Sequence, residues 1–407
     1  MKHLIIGAGA AGISAARTIL KEKTDDTVVV VSEDREVYSR CMLHRFISGE
    51  RDAKSLNFVN DGLLDNKRFQ WIEGKTVTRL DGASKTVYAG DEKVASGDTV
   101  LIATGSNSVT PPIGELRTAK NAFGLRHLSD ARSIADTAKK AENIAVIGAG
   151  LVGLDAAYAL QELGKKTTIV EMAESALALN LDARAAAAYQ KLFEQKGAVF
   201  HLGRKVVNTR GDGAGSITAL ELDNGTVIPC DMVVMAVGVR PAIGFLTESG
   251  VKVERAVVVD DHLATNVPGI YAAGDAAGLS GIWPNAVKQG EIAGENMCGV
   301  GYVYDDKFAV KNTVNFFGLV SLSVGALNPQ EGDLVLIKED RLNYRKLILR
   351  DSVPAGVILQ GDIAGAGFWQ HLIKNKIRID NRGKPVWKIT YADFFGMENN
   401  GEYKWVV

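Results

Sequence analysis

His3-Leu4-Ile5-Ile6-Gly7-Ala8-Gly9-Ala10-Ala11-Gly12, then Ile13 to Leu20, then Val28-Val29-Val30-Val31-Ser32-Glu33, is the stretch that decides the fold. Leu4 to Ile6 read as a short buried strand. Gly7, Gly9 and Gly12 make a G-x-G-x-x-G turn. The first glycine permits the tight turn, the second lets a pyrophosphate approach the backbone, and the third lets the following helix pack close to the strand. Ala15, Ala16, Ile19 and Leu20 give that helix an apolar face, and its N-terminus offers free N–H groups to a phosphate. Glu33 closes the second strand, where a carboxylate suits a ribose diol and repels a 2′-phosphate. Strand, turn, helix and acid in this order point to dinucleotide binding rather than to a glycine-rich loop.

The same unit occurs a second time. Ile144 to Ile147 read as a strand, Gly148-Ala149-Gly150-Leu151-Val152-Gly153 as the turn, and Ala156, Ala157, Ala159 and Leu160 as the helix face. Lys165 to Val170 form the next strand, with Glu171 at its end. Two turns imply two dinucleotides. At the second, Glu171 favours a free 2′-hydroxyl, hence NAD over NADP, and Met172-Ala173-Glu174-Ser175 supplies no arginine for a 2′-phosphate.

The remaining chain is read around these units. Residues 69–103 alternate apolar and polar with turns at Asp81-Gly82 and Gly90-Asp91, a small antiparallel insertion. Thr99 to Ala103 is a strand ending in Thr104-Gly105. Met232 to Val237 is another, broken by Gly238-Val239-Arg240-Pro241. Ile270 to Ala273 leads into Gly274-Asp275, and a helix is expected over Asn285 to Met297. Beyond residue 305, Asp333 to Ile337, Tyr344 to Leu349 and Ala355 to Leu359 read as strands, and Phe368 to Ile373 as a helix. The expected fold class is α/β: two Rossmann-like dinucleotide-binding domains, the first discontinuous (1–110 and 236–304) and the second over 111–235, plus a small α+β domain over 305–380. An aromatic-rich tail, 381–407, carries Trp387, Tyr391, Phe394, Phe395, Tyr403 and Trp405.

Composition agrees with a chain of two to three domains: 407 residues, 46% hydrophobic, 23% charged, net charge −1. Nothing in it suggests nucleic acid or an anionic membrane as partner. The first strand begins too early for a signal peptide, and no apolar run reaches about 20 residues. Cys41, Cys230 and Cys298 lie far apart, without CxxC or metal-ligand spacing. A cytoplasmic protein with no metal or cluster of its own is expected.

These motifs together resemble the FAD-dependent pyridine nucleotide reductases of the glutathione-reductase structural type, over about residues 2–375. Within that family the chain is most similar to the NADH:rubredoxin reductases and the flavoprotein part of assimilatory nitrite reductases, through Tyr38-Ser39-Arg40-Cys41-Met42-Leu43 with Gly49, and through Trp283-Pro284-x-Ala286-x-x-Gln289-Gly290. The resemblance implies FAD at the first turn and NAD(H) at the second. For FAD it points to Gly7, Gly9, Ala11, Gly12, Glu33, Arg40, Val77, Ala103, Thr104, Gly105, Arg126, Gly274, Asp275 and Trp283. Glu33 would take the adenosine ribose, Asp275 the ribityl chain, Arg40 a phosphate or the flavin edge, and Trp283 would lie near the isoalloxazine. For NAD it points to Gly148, Gly150, Leu151, Val152, Gly153, Asp155, Glu171 and Gly238, with Asp155 standing where the family often has a longer glutamate.

The function implied is hydride exchange between NAD(H) and FAD, with electrons passed singly to a small iron–sulfur protein of rubredoxin or ferredoxin type. No dithiol pair and no C-terminal His–Glu pair are present to carry them otherwise, because His371 has no acid four or five residues on. Two rival readings stand beside this one. Cys41 lies eight residues after Glu33, where single-cysteine NADH oxidases, NADH peroxidases and coenzyme A-disulfide reductases carry a redox thiol, and Arg40, His44 or Arg45 could lower its pKa; as a small apolar residue in the place of the family's proline it would have no redox part. Alternatively the chain wires NAD to the subunits of a larger complex, such as a 2-oxoacid:acceptor oxidoreductase, with the aromatic tail as docking element. The oligomeric state is left open.

Overall fold

The computed structural model describes residues 1–59, 62–306, 308, 312–379, 383–398 and 402–405. Parts of the expected C-terminal domain (307, 309–311 and 380) and of the expected tail (381–382, 399–401 and 406–407) lie outside the described residues.

The first glycine turn sits at the centre of a five-stranded parallel sheet in the order Ile270–Ala272, Thr99–Ile102, Lys2–Ile6, Thr27–Val31, Phe69–Ile72. Val28 to Val31 are all buried, as a parallel strand covered on both faces demands. Each such side chain contributes roughly 1.5–3 kcal/mol by leaving water. The helix Ala10–Glu22 packs against the helix Trp283–Met297. The contact is close because Gly290 faces the backbone of Ala11: a Cβ on Gly290 would stand 2.1 Å from the Ala11 carbonyl oxygen. Phe69–Ile72 corrects the expected extent of the antiparallel insertion. It joins the parallel sheet beside Thr27–Val31, and the insertion reduces to Arg79–Asp81, Thr86–Ala89 and Glu92–Ser96.

The second unit repeats the design. Its parallel sheet runs Val199–His201, Lys166–Val170, Asn143–Ile147, Met232–Met235, Ala122–Gly124. An antiparallel sheet of Val206–Gly211, Ile217–Leu222 and Val227–Pro229 packs beside it. Between the two units the chain crosses as a pair of short antiparallel strands, Ser106–Ser108 and Val239–Pro241.

The C-terminal part is a five-stranded antiparallel sheet ordered Asn312–Phe316, Leu319–Gly325, Val353–Gln360, Tyr344–Arg350, Leu334–Glu339, covered by the helix Ala366–Lys374. The first two of these strands were not expected from the sequence. The described tail packs back on this helix. Phe394 is fully buried, Ile389 is buried, and Trp405 stacks on Phe394 and meets His371 edge-on.

Candidate functional site

A cavity of about 910 Å³ opens where the parallel strands end, the position at which open α/β sheets bind ligands. Gly7, Gly9, Ala11, Glu33, Arg40, Val77, Ala103, Thr104, Gly105, Arg126, Gly274, Asp275 and Trp283 all line it, and so do Cys41, Leu151, Val152 and Asp155. Gly12, Gly148, Gly150, Gly153, Glu171 and Gly238 do not. The first set is thus brought together almost whole, while the second is split between this wall, the turn behind it and, for Gly238, the start of the crossing between the units.

The two turns are built alike. Gly7 has φ +112° and Gly148 φ +103°; a Cβ on either would stand within 2.4 Å of a carbonyl oxygen, that of Ala103 or of Ala236. Gly12 and Gly153 face the carbonyl oxygens of Gly7 and Gly148 at 2.0 and 1.9 Å from an added Cβ. These four glycines are required by the fold itself. The middle glycines are not. Gly9 has φ −80° and Gly150 φ −74°, which any residue adopts, and an added Cβ would meet nothing nearer than 3.8 Å at Gly9 and nothing within 4 Å at Gly150. The space above each is what a pyrophosphate would fill, so the residues present fit a dinucleotide at each turn.

Charged groups converge on the cavity. The Arg126 guanidinium donates to Asp275 Oδ2 at 2.5 Å and to the Ser106 carbonyl at 3.2 Å, and Ser106 Oγ donates to the same carboxylate oxygen at 2.6 Å. Arg126 belongs to the segment after the crossover, so this pair ties the two units across the site. Arg40 donates to Asp34 Oδ2 at 2.9 Å, and the Tyr38 hydroxyl to Asp34 Oδ1 at 2.8 Å. Glu33 keeps half of its side chain exposed and has His127 Nδ1 at 3.5 Å. At the second turn, Glu171 lies outside the cavity but against its own turn, accepting from the backbone N–H groups of Ala149 and Ala173.

Asp155 and His44 face each other at 3.8 Å. Asp155 still opens 31% of its side chain to the cavity, yet the walls strip it of bulk water, and its pKa is pushed up to about 7, with Arg45 opposing. Burial likewise pushes His44 down to about 4, helped by Arg45. Both groups are driven toward their neutral forms.

Cys41 is exposed on the cavity wall but recessed within it. Desolvation by the walls, then the Asp155 carboxylate, raises its pKa; Arg126 opposes and does not prevail. This corrects the expectation that Arg40, His44 or Arg45 lowers it. Arg40 is paired with Asp34, and His44 is held neutral. The other two thiols are elsewhere. Cys230 is buried in the core of the second unit. Cys298 lies with His3 and Asp26 near the start of the first strand, where both His3 ring nitrogens already have partners, Thr99 at 2.8 Å and Asp26 at 3.0 Å. His371 is at the tail contact, not in the cavity.

Sequence reasoning missed one wall. Thr313, Val314, Asn315 and Phe316, on the edge strand of the C-terminal sheet, line the cavity, although nothing local in that segment marks it. Asp34 was missed too; a second acid after Glu33, with Tyr38 and Arg40 at four and six residues, was its available signal.

Residues 1–290 match the family model described as pyridine nucleotide-disulphide oxidoreductase, and residues 311–377 the rubredoxin NAD+ reductase C-terminal domain. Among curated relatives, the nitrite reductase [NAD(P)H] of Bacillus subtilis is 28% identical over 94% of this chain and 48% of its own length, so the chain spans about half of that protein. The NADH-dependent phenylglyoxylate dehydrogenase subunit epsilon of Aromatoleum evansii is 30% identical over 85% of this chain and 84% of that protein. Among solved structures, NADH:rubredoxin oxidoreductase from Clostridium acetobutylicum has a TM-score of 0.78 at 24% identity, over 93% of this chain and 96% of that one; at that identity it bears on the fold alone. No helix among the described residues is long and apolar enough to cross a membrane. The chain belongs to the pyridine nucleotide-disulphide oxidoreductase family and is an oxidoreductase that binds FAD and NAD(H).

Proposed function

We propose that this flavoprotein takes electrons from NADH at the cavity and hands them singly to an iron–sulfur protein or subunit. The observation that carries the reading is the lone, up-shifted Cys41: among the described residues no second thiol shares the cavity, so no dithiol relay can be drawn through it. The match of residues 311–377 to a domain named for rubredoxin reductases supports the same reading. FAD, when bound, supplies the exchange between two-electron and one-electron chemistry. The chain's own part is to bind and orient. The first turn, with Glu33, Arg40 and Asp275, would hold FAD. The second turn and Glu171 would hold NAD(H) so that its reacting carbon meets the flavin, and Asp155 and His44 would flank that meeting point. Positioning is the main requirement of such a transfer.

The resemblance to a dehydrogenase subunit along most of both chains favours one variant of this reading, in which the acceptor is a subunit of a larger complex. The test is anaerobic stopped-flow reduction by NADH followed by mixing with rubredoxin, with ferredoxin, and with oxygen or coenzyme A disulfide. Fast reoxidation by an iron–sulfur protein is the expected result. Reoxidation by oxygen or the disulfide alone overturns it. Co-purification of cluster-bearing subunits from native cells distinguishes the complex from a free acceptor.

A further inference from the structure

The wall formed by Thr313–Phe316 is paired within the C-terminal sheet, and it is held from the second unit as well. Tyr189, on the helix Ala183–Gln195, is fully buried. Its hydroxyl lies 3.0 Å from the Val314 carbonyl oxygen, 3.0 Å from that of Leu319 and 2.9 Å from Ser321 Oγ. Ser321 Oγ in turn accepts from Gln360 Nε2 at 2.9 Å, and the same amide nitrogen donates to the Ala185 carbonyl at 2.9 Å, back on the helix that carries Tyr189. The proton count orders this ring. Gln360 donates to Ser321, Ser321 donates to the phenolic oxygen, and the single phenolic proton is left for the two backbone carbonyls.

The apolar contacts at this place are strong but non-directional. Phe316 meets Tyr158, Tyr189 and Phe193 with ring centroids 5.3–5.8 Å apart, and such a cluster tolerates sliding. The ladder between Asn312–Phe316 and Leu319–Gly325 sets the register of the hairpin. The bonds to Val314 and Leu319, which share the phenolic proton, give that hairpin a directional tie to the helix and so set how the wall stands against the cavity. A second group of bonds, from the Tyr344 hydroxyl (2.7 Å) and Lys346 Nζ (3.0 Å) to Asp182 Oδ2, fastens the same sheet to the same helix but touches no cavity residue.

We propose that Tyr189 is a positioning residue for the flavin cavity: its hydroxyl, set by Ser321 and Gln360, sets the Thr313–Phe316 wall of the cavity that would hold FAD. This rests on FAD binding, not on the identity of the electron acceptor. Tyr189→Phe keeps the ring packing and removes only the hydroxyl. The holoenzyme should then show flavin fluorescence quenched by iodide about twofold more readily, and an FAD dissociation constant raised about three- to tenfold, the worth of one net hydrogen bond. Tyr344→Phe, which cuts the remote bond to Asp182, should lower the melting temperature and leave both flavin readouts unchanged. If Tyr189→Phe folds poorly, Ser321→Ala keeps the phenol and removes the group that orients it; a smaller change in the same direction is expected. Unchanged quenching and FAD affinity in Tyr189→Phe, or in Ser321→Ala when that variant stands in for it, overturn the proposal. So does an equal change of both readouts in Tyr344→Phe.

Discussion

The Glu171 carboxylate accepts a hydrogen bond from the Ala149 backbone N–H at 2.7 Å, and a second from Ala173 at 2.8 Å. The acid that ends the second strand is therefore fixed to the glycine turn before any nucleotide arrives. In the proposed reading its charge then meets the ribose of the nucleotide, where NADP would carry a 2′-phosphate.

NADH should accordingly reduce the flavin much faster than NADPH. Losing a ribose hydrogen bond to a carboxylate and gaining phosphate repulsion amount together to roughly 2–4 kcal/mol. Because Glu171 also orders its loop, the informative variant is Glu171→Gln, which removes the charge and keeps one acceptor. It should narrow the preference, measured as kcat/KM for the two nucleotides. Equal rates in the unaltered protein would remove the basis for assigning NAD.

The middle glycines offer a cleaner test of where phosphates bind, since neither the backbone angle nor a protein neighbour requires them. Gly9→Ala should fold with an apoprotein as stable as the original or about 0.4–1 kcal/mol more so, because alanine restricts the unfolded chain. It should nevertheless be purified nearly free of FAD. Gly150→Ala should retain FAD and show a raised KM for NADH. Gly12→Ala should fail to fold, because its Cβ would stand 2.0 Å from the Gly7 carbonyl oxygen. A Gly9→Ala protein that fills with FAD normally would place the pyrophosphate elsewhere.

Both parallel sheets were legible in the sequence because their signals are local: a buried run, a turn that only glycine can make, an acid at fixed distance. The shared cavity wall was legible for the same reason, with Gly7, Ala103 and Gly274 at the ends of adjacent strands. What stayed hidden depends on contacts between distant segments. Phe69–Ile72 alternates like a strand of the antiparallel insertion and yet forms the edge of the parallel sheet, a choice made by its neighbour Thr27–Val31. Leu319–Gly325 carries Ser321 and Ser323 at buried positions; the partners that make burial of Ser321 acceptable, Tyr189 and Gln360, are 132 and 39 residues away. The direction of the Cys41 shift was hidden too. Proximity in sequence suggested cations around the thiol, whereas the fold places Asp155 there and turns Arg40 toward Asp34.

The His44–Asp155 pair should give the apoprotein two opposed pH dependences. Asp155 rises from 3.8 to about 7 on folding. The native state therefore keeps a proton that the unfolded chain has lost, and this contribution to stability declines as pH rises from about 4 to 7. His44 falls from 6.5 to about 4. The unfolded chain takes up a proton that the native state refuses, and stability declines as pH drops from 6.5 toward 4. Arg45, Glu50 and Cys41 face the pair and act in all variants alike. Relative to the unaltered apoprotein, Asp155→Asn should lose stability more steeply on acidification from pH 7 to 5, and His44→Gln less steeply. Urea midpoints at three pH values check this, and slopes of the same sign for both differences would rule out the opposed shifts.

Cys41 is where the two routes for electron exit part. A thiol serves as redox partner of a flavin only as thiolate, and Cys41 is held toward the thiol by desolvation and by Asp155, against the pull of Arg126. Direct exit from the flavin then requires that Cys41→Ser reduce with NADH and turn over with an iron–sulfur acceptor close to the unaltered rate. Reductive titration should take up two electrons per FAD, with no thiol-linked pair left over. A redox-active Cys41 would demand four electrons and a long-wavelength charge-transfer band between thiolate and flavin. Two observations favour the two-electron outcome: the Cys41 pKa shift runs the wrong way for a thiolate, and His371 is engaged with Tyr391 and Trp405 instead of facing the site. A band that disappears in Cys41→Ser together with turnover would move this protein to the thiol-dependent branch of its family.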